Sequence, residues 1–593
     1  IYSMKKILFI ALAALLFSSC EAFLDTESYT KKNTGNYPKT ADDAVQMVTG
    51  VYATLNKVLA NCGNSYYFAA QLLSDDMFAG GGENDKHWTS LEHLMYVDLN
   101  QYNSFWSDRY SGISRANMAI ANLDKVEDEK LRNQLMGETL FLRALFYFDL
   151  VQMFGDVPLI TQVPQNVSEV ADYPEQATQE EIFAFIAADL KKASDIMPND
   201  PYTATVSGEA HATRWAAEAL LARVFLFYTG FYGKTELPMM DEEFNVSGSV
   251  TKAEVIAGLE DCINNSGHSL ANDFRRIWPY SNSLSAKDYD YVSDLAANGE
   301  YWLKDGTNPE TLFAIKCSHL ASWSTTTGYS NQYCLFFAIR NAGTSDQYKN
   351  LYPFGQGWGA GTVNPGLWDK WLNEEPTDMR RKGSILAAAE RPNYVYGADA
   401  LMEETTFWQK KVIAITGVKE YEADGSLKTL YNSFTSSTEY YGDGESDDFQ
   451  LGHETDLVLI RFADVLLMHS ELTETADGIN RVRARVGLPA VSYSFEALQR
   501  ERRFELAFEG LRWGDMRRWG DNYAISALES QLGHTIWNRG VQKVMKDQGA
   551  GYAARYQATR GFLPMPSSEV DLSNGVLQQN PGWGTDAIFS SWN

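Results

Sequence analysis

The segment DEKLRNQLMGETLFLRALFYFDLVQMFGDVPL, Asp128 to Leu159, limits the architecture more than any other. Its apolar residues recur at helical spacing. Phe141, Leu145 and Phe148 form one stripe, and Leu142 and Phe146 lie beside it. So broad an apolar face needs several neighbours to cover it. Gly155 and Pro158 end the helix. The same texture runs on both sides. TADDAVQMVTGVYATLNKVL opens with Thr40 and places Asp43 three residues on, close to a capping box. TQEEIFAFIAADLKKASDIMP repeats the device with Thr178 and Glu181 and stops before Pro198. TRWAAEALLARVFLFYTG alternates Ala with Leu and Phe, which suits close helix pairing, and TKAEVIAGLEDCINNSG ends near Gly267. Paired amphipathic helices a few tens of residues apart predict tetratricopeptide-like stacking, although starts near Gln179, Ala212 and Lys252 are unevenly spaced. The expected fold is mainly α, with this scaffold over residues 40–269.

From 270 to 450 the texture changes. Gly, Ser, Asn, Tyr and Trp dominate in RRIWPYSNSLSAKDYDYVSD, SWSTTTGYSNQY and YPFGQGWGAGTVNPGLW. These read as loops with short strands, and loops on a rigid scaffold are where binding resides. The stretch is therefore expected to be the ligand-binding region. Helical periodicity returns in TDLVLIRFADVLLMHSELTE and SFEALQRERRFELAFEGLRWGDMRRWG. Residues 451–593 thus read as C-terminal helices and an extended tail packed on the scaffold. Arg502 stands three before Glu505, and Glu509 three before Arg512, so both pairs are expected side by side on a helix. Trp513 and Arg517 are placed for cation–π stacking. This block reads as scaffold rather than site.

Near the N-terminus, Lys5 and Lys6 precede the apolar run Ile7–Phe17, and Ser18, Ser19 and Cys20 follow it. A spanning helix needs about 20 apolar residues; this order is that of a secretory signal peptide, residues 1–19, in which Ile1–Ser3 precede Met4. The stretch resembles a bacterial lipobox, with Phe17 where Leu is usual. Lipidation of Cys20 and a tether over 20–39 are expected. The chain carries 77 acidic against 50 basic residues, a formal charge of -27. Such a surface repels phosphate backbones, excluding nucleic acid as a partner and leaving the lipid as the membrane contact. At 45% hydrophobic the chain has the means for a large core. Cys62, Cys262, Cys317 and Cys334 are too few for a disulfide scaffold. Cys317 and Cys334 lie in TLFAIKCSHL and NQYCLFFAIR, which read as strands able to pair. A disulfide between them and two buried free thiols both stay open. No CxxC or Cys/His cluster suggests zinc.

No HExxH and no GxSxG occurs, and GFYGKT, Gly230 to Thr235, has two residues between its glycines where a phosphate loop has four. A glycosidase needs only two carboxylates, but nothing singles out a pair. The reading is non-catalytic, with no cofactor. The one metal suggested is a structural calcium at Asp443, Glu445 and Asp447; it lacks the bidentate Glu of an EF-hand, and a solvated acidic loop is the plainer account.

A sugar presents apolar C–H faces and a rim of hydroxyls, so its site needs an exposed aromatic platform beside Asp, Asn or Arg. In LLSDDMFAGGGENDKHW the glycines Gly80–Gly82 read as a free loop that sets Asp75, Asp76, Asn84 and Asp85 near Trp88. The competing account has Asp75 and Asp76 capping a turn and Trp88 packing on the scaffold. Trp323 and Tyr329 in SWSTTTGYS, and Trp358 in GQGWGAG, are expected to supply the facing side. Arg391, Tyr394 and Tyr396 in ERPNYVYG form a third cluster, whereas Trp278, Trp302 and Trp368 read as core.

Cys20, RALFYFDLVQMFGDVPL (143–159), LIRFADVLLMHSEL (459–472), RRFELAFEGLRWGDMRRWG (502–520) and FLPMPSSEVDLSNGVLQQNPGW (562–583) occur in one order along the chain. Together they resemble the SusD/RagB family of outer-membrane nutrient-binding lipoproteins. The resemblance implies a tetratricopeptide-like scaffold carrying a variable glycan-binding face. It implies a place at the cell surface as a lid on a SusC-like TonB-dependent transporter, delivering oligosaccharide. The RagB branch keeps a peptide or protein ligand open, and a lid with no ligand of its own is a third reading.

Overall fold

The computed structural model describes residues 37–164, 173–203, 211–340 apart from 305, 319 and 325, then 353–390, 394–397, 400–415, 419–421, 423, 427–429 and 450–590. Cys20, Arg391 and the acidic run at Asp443, Glu445 and Asp447 lie outside these residues. Helix accounts for about half of the described residues.

The first part holds α1 (Ala41–Ala60), α2 (Tyr66–Leu72), β1 (Met77–Gly80), α3 (Lys86–Glu92), α4 (Asn103–Ile120), α5 (Glu129–Phe154), α6 (Gln179–Ile196), α7 (Arg214–Tyr232), β2 (Leu237–Met240), β3 (Val246–Val250) and α8 (Lys252–Asn265). Capping boxes start α1 at Thr40 and Asp43, α6 at Thr178 and Glu181, and α8 at Thr251 and Glu254. Each satisfies end N–H groups that helix geometry leaves without partners. Gly155, at φ 74, ends α5. From Leu135 onward α5 is buried on nearly every side, as its broad apolar face requires.

The middle part holds α9 (Ser293–Ala297), β4 (Thr311–Ile315), α10 (Gln332–Phe337), β5 (Ile339–Arg340), β6 (Gln356–Gly357), β7 (Ala360–Val363), α11 (Pro365–Glu374), α12 (Met379–Ser384), β8 (Ile385–Ala387), β9 (Phe407–Gln409), β10 (Lys419–Tyr421) and β11 (Leu427–Thr429). The last part holds β12 (Leu457–Arg461), α13 (Phe462–Thr473), α14 (Asp477–Arg485), α15 (Phe495–Leu506), α16 (Arg512–Arg518), α17 (Asp521–Glu529), β13 (Thr535–Asn538), β14 (Val541–Val544), α18 (Tyr552–Thr559) and α19 (Ser567–Leu572).

The helices α1, α4, α5, α6, α7 and α8 pack each against the next, α8 packs against α13, and α13 against α14. The row thus begins at residue 41 and resumes at 462, and the loop-rich part is an insertion into it. One apolar core runs from Ala44 to Ala587. A second, smaller one gathers Phe274, Trp278, Tyr280, Phe354 and Trp408 within the insertion. Strands tie the parts together. The sheet order is β1-β7-β9-β8, with Met77 opposite Val363, and β4 pairs with β12.

Two sequence expectations, the strand pairing and the one-turn ion pairs, are corrected here, and the open alternative at the cysteines is decided. TLFAIKCSHL contains β4, but NQYCLFFAIR opens with helix α10, so the two segments do not pair. None of the four described cysteines forms a disulfide, and all are buried; the Cys334 Sγ lies 3.3 Å from the Thr455 hydroxyl. The one-turn ion pairs expected in the C-terminal block also give way to distant partners. Arg502 binds Asp515 and Asp464, each at 2.9 Å, and Glu505 takes Arg461 at 2.6 Å and Arg380 at 2.9 Å. The helix stops at Leu506, and Phe508 (φ 66) and Gly510 (φ 76) turn the chain. Glu509 therefore meets Lys411 at 2.7 Å and Arg461 at 2.6 Å, and Arg512 meets Asp75 at 2.7 Å. Arg517 does lie over Trp513, at 5.7 Å, but closer to Phe562 at 4.5 Å. These charges are buried, where only several well-placed partners offset desolvation.

Candidate functional site

The three glycines ahead of Trp88 are buried, not free. Gly80 (φ 67) and Gly81 (φ 74) adopt left-handed backbone. A Cβ on Gly80 would lie 2.3 Å from the Gly359 carbonyl oxygen, and one on Gly81 would lie 2.4 Å from the Trp88 ring. The run exists so that β1 can approach the 359 backbone and so that the indole can fold under it. Trp88 is 4% exposed and packs against Phe68 and Phe336, both at 5.6 Å. It cannot offer a face to a sugar, and it packs on the scaffold as the competing account has it.

Asp75 and Asp76 are likewise structural. Arg512 and Arg503 grip Asp75 at 2.7 and 3.0 Å, and Arg503 grips Asp76 at 2.8 Å. Burial would raise the Asp75 carboxyl, but the two guanidinium groups overcome it and hold the pKa near 2. Asp76, with less compensation, is pushed up by burial. Both residues leave the list of ligand contacts.

The loop around Trp323 is the opposite case. Its base is pinned to α1: Asn56 Nδ2 donates to the Gly328 and Lys316 carbonyls at 2.9 and 3.2 Å. A Cβ on Gly328 would fall 1.7 Å from the Asn56 oxygen, so only glycine fits there. Ser318 N–H donates to the Tyr329 carbonyl, closing the loop. At the tip, the Ser322 and Ser324 hydroxyls are 2.8 Å apart, and Ser322 N–H donates to the Thr326 carbonyl. Trp323 is 65% exposed and Tyr329 is 36% exposed. Two aromatic side chains thus stand out from a fixed, hydroxyl-rich turn.

A second strip lies over the Gly82 backbone. Arg340 Nη1 donates to Asp85 Oδ2 at 3.1 Å and to the Trp358 carbonyl at 3.3 Å, and Gly82 N–H donates to the same carboxylate oxygen. Asp85 and Trp358 are half-buried; Trp358 rests its body on the main core. Gly82 bridges to Leu401, whose carbonyl accepts from Arg539 N–H, and the Arg539 guanidinium reaches Glu83 at 3.4 Å. Beside Arg539, Tyr396 stacks on Trp537 with ring centroids 4.3 Å apart and planes 17° from parallel. Glu404 lies beneath, accepting from the Tyr394 hydroxyl and, at 2.6 Å, from Gly397 N–H. Burial lifts its carboxyl to about 7, and those two donors limit the rise. Tyr394 is thereby turned inward against Trp408, and Tyr396 is the member of that cluster at the surface strip.

Trp537, Arg539, Arg340 and Glu83 escaped the sequence reading. The signal for Trp537 and Arg539 was IWNRGV: Arg539 (φ 54) and Gly540 (φ 77) form the two-residue turn joining β13 to β14. Arg340 follows the aromatic run of α10 and had no comparable mark. Of the tryptophans read as core, Trp278 is buried, and Trp302 and Trp368 are half-buried.

The arrangement has two aromatic patches edged by hydroxyls, carboxylates and guanidinium groups. It can stack on an apolar ring face and hydrogen-bond a polar rim. A cavity of about 100 Å³ between α5, α7 and β12 is lined by charged groups already paired, such as Arg109 with Asp149 at 2.6 Å. That space suits a few ordered waters. No described helix is long and apolar enough to cross a membrane.

Two family models match the chain. Residues 22–226 match one described as "Starch-binding associating with outer membrane", and residues 299–583 match one described as "SusD family". Relatives include SusD-like protein P2 of Formosa agariphila, 24% identical with 92% of this chain and 93% of the relative covered. A SusD-like protein of Bacteroides ovatus is also 24% identical, with 98% of each covered. Among solved structures, a laminarin-binding SusD-like protein superposes with a TM-score of 0.65 at 24% identity, covering 92% of this chain and 100% of the other. Surface glycan-binding protein A of Bacteroides thetaiotaomicron, in complex with laminarihexaose, gives 0.63 at 18% identity, covering 91% and 99%.

Proposed function

The chain belongs to the SusD/RagB family, and on that footing we propose that it is a non-catalytic glycan-binding lipoprotein of the cell surface. It is anchored in the outer membrane through Cys20 and passes oligosaccharide to a SusC-like TonB-dependent transporter. The observation that carries the glycan reading is Trp323, 65% exposed on a loop pinned to α1 and surrounded by serine and threonine. A loop backbone held in this way needs no further ordering when the indole stacks on a sugar ring. Tyr329 stands on the same loop, and Tyr396 with Trp537 and Arg539 forms a second aromatic patch. Relatives of this fold whose names state laminarin or glycan binding support the reading. The four residues Trp88, Asp75, Asp76 and Tyr394 are excluded as direct contacts by burial or by inward partners.

The test is affinity electrophoresis of the chain from Glu21 onward through gels containing laminarin, starch or other polysaccharides, followed by calorimetric titration of whichever retards it. Retardation by at least one glycan, weakened by Trp323→Ala, is expected. Failure with every glycan, together with a titratable peptide ligand, would replace this reading with the RagB-like one. Release of Cys20→Ala from the membrane fraction, and co-purification of the wild type with a large outer-membrane barrel, check the anchor and the partner.

A further inference from the structure

Beneath the second strip lies a cluster with no place in glycan recognition. Glu92 ends α3, His93 follows it, and Glu403 sits in the turn ahead of β9. One ligand atom from each lies within 4.8 Å of the other two, and the residues are 0%, 1% and 2% exposed. Asp75, Asp464 and Glu505 each face a guanidinium, but Glu92 and Glu403 form no ion pair with a described Lys or Arg. Glu92 accepts from Ala79 N–H at 2.7 Å and from the Tyr552 hydroxyl at 3.1 Å. The Oε2 of Glu403 has no hydrogen-bond partner, and neither ring nitrogen of His93 has one. Tyr552 stacks on the imidazole at 4.9 Å and fixes its plane.

Two carboxylates buried together need positive charge between them, and a fully buried imidazole needs at least one partner. A proton shared by the two acids would answer the first need and leave His93 unanswered. A divalent ion answers both: it neutralises the two carboxylates and takes a nitrogen lone pair. We propose that Glu92, His93 and Glu403 form a buried site for one divalent transition-metal ion of the zinc and manganese class. The imidazole argues against calcium and magnesium, which favour all-oxygen shells. The ligand atoms, now within 4.8 Å of one another, would have to close to the edge of about 3.4 Å that zinc bonds of about 2.0–2.1 Å imply. The ion would join β1, α3, the 400–406 turn and α18, below the Tyr396–Trp537 stack. This inference is independent of which ligand the surface takes.

The test starts with the full mature chain, purified without chelator and assayed for bound metals by mass spectrometry. It continues with thermal melts of the EDTA-treated protein in zinc, manganese or calcium chloride. Near one zinc or manganese per chain is expected, with a rise in Tm of several degrees on restoring that ion to stripped protein and none with calcium. His93→Phe, which keeps the ring stack, and Glu403→Gln should both abolish the rise. Absence of bound metal together with no shift in the wild type would overturn the site in favour of a shared proton. So would a shift that both variants retain, since the ion would then bind elsewhere. Should the variants fail to fold, the wild-type stoichiometry and melts decide alone.

Discussion

Trp88 and Trp323 each sit among small and polar residues, yet one is 4% exposed and the other 65%. The glycines of their two loops do the same work. Gly81 lets the backbone close on an indole, and Gly328 lets it close on the Asn56 carbonyl. What differs is the chain that follows. After Gly82, α3 begins at Lys86 and rolls Trp88 onto Phe68 and Phe336. Around Trp323 the Ser322 and Ser324 hydroxyls meet in a tight polar turn, and most of the indole surface stays open to solvent. Small residues in a sequence therefore mark close approach as readily as freedom, and only the next element says which way an aromatic side chain goes.

The contrast breaks first at its buried end. Trp88→Ala should cost about 3–5 kcal/mol through the cavity left behind, with glycan affinity per folded molecule unchanged. Asp75→Ala should cost about 3 kcal/mol, because it strands the buried Arg512 guanidinium and leaves Arg503 with Asp76 alone. Denaturant unfolding measures both; a normal melt with lost affinity for Trp88→Ala would restore it as a platform.

Glu404, under the Tyr396–Trp537 stack, is an intermediate case that pH can probe. Its usual value near 4.5 is lifted to about 7 by burial. The folded state holds this proton more tightly than the unfolded chain. The stability it confers is whole below about pH 4.5 and is lost as pH rises through 7, about 3 kcal/mol in all. Thermal melts from pH 4.5 to 8 should show a decline to which the raised Glu218 and Glu403 carboxyls also contribute, and Glu404→Gln should make it shallower; an unchanged slope would mean that Glu404 ionises normally.

Gly81→Ala should cost about 2 kcal/mol, since its φ is left-handed and its Cβ meets the Trp88 ring. A neutral result would show the loop to be as free as its composition suggested. Trp323→Ala is the mildest for folding, within about 0.5 kcal/mol, while glycan affinity should fall roughly tenfold or more. A large drop in Tm for this variant would place Trp323 against an apolar bed and erase the contrast.

The parts readable in advance were those whose signals are local. Thr40 with Asp43 and Thr178 with Glu181 announce helix starts within four residues, and both boxes form. The broad apolar face of α5 announces its burial on all sides. Asp75 reads as a loop acid because its partner, Arg512, stands 437 residues away. Trp88 misleads for the same reason: Phe336 is remote in sequence. Trp323 and Tyr329 were legible as exposed because their neighbours are polar on both sides. Arg391 and the acidic run at Asp443, Glu445 and Asp447 fall outside the described residues.

The sheet that joins β1 to β7 also has a meaning in time. Met77 cannot pair until Val363 exists, and Asp75 stays a bare charge until Arg512 arrives. Early helices can form as they are made, but the first strand and its acids cannot be satisfied by anything near them. Pairings this distant slow folding, because a long loop must close before any contact rewards it. Such a chain cannot lock its first strand until nearly its whole length is present.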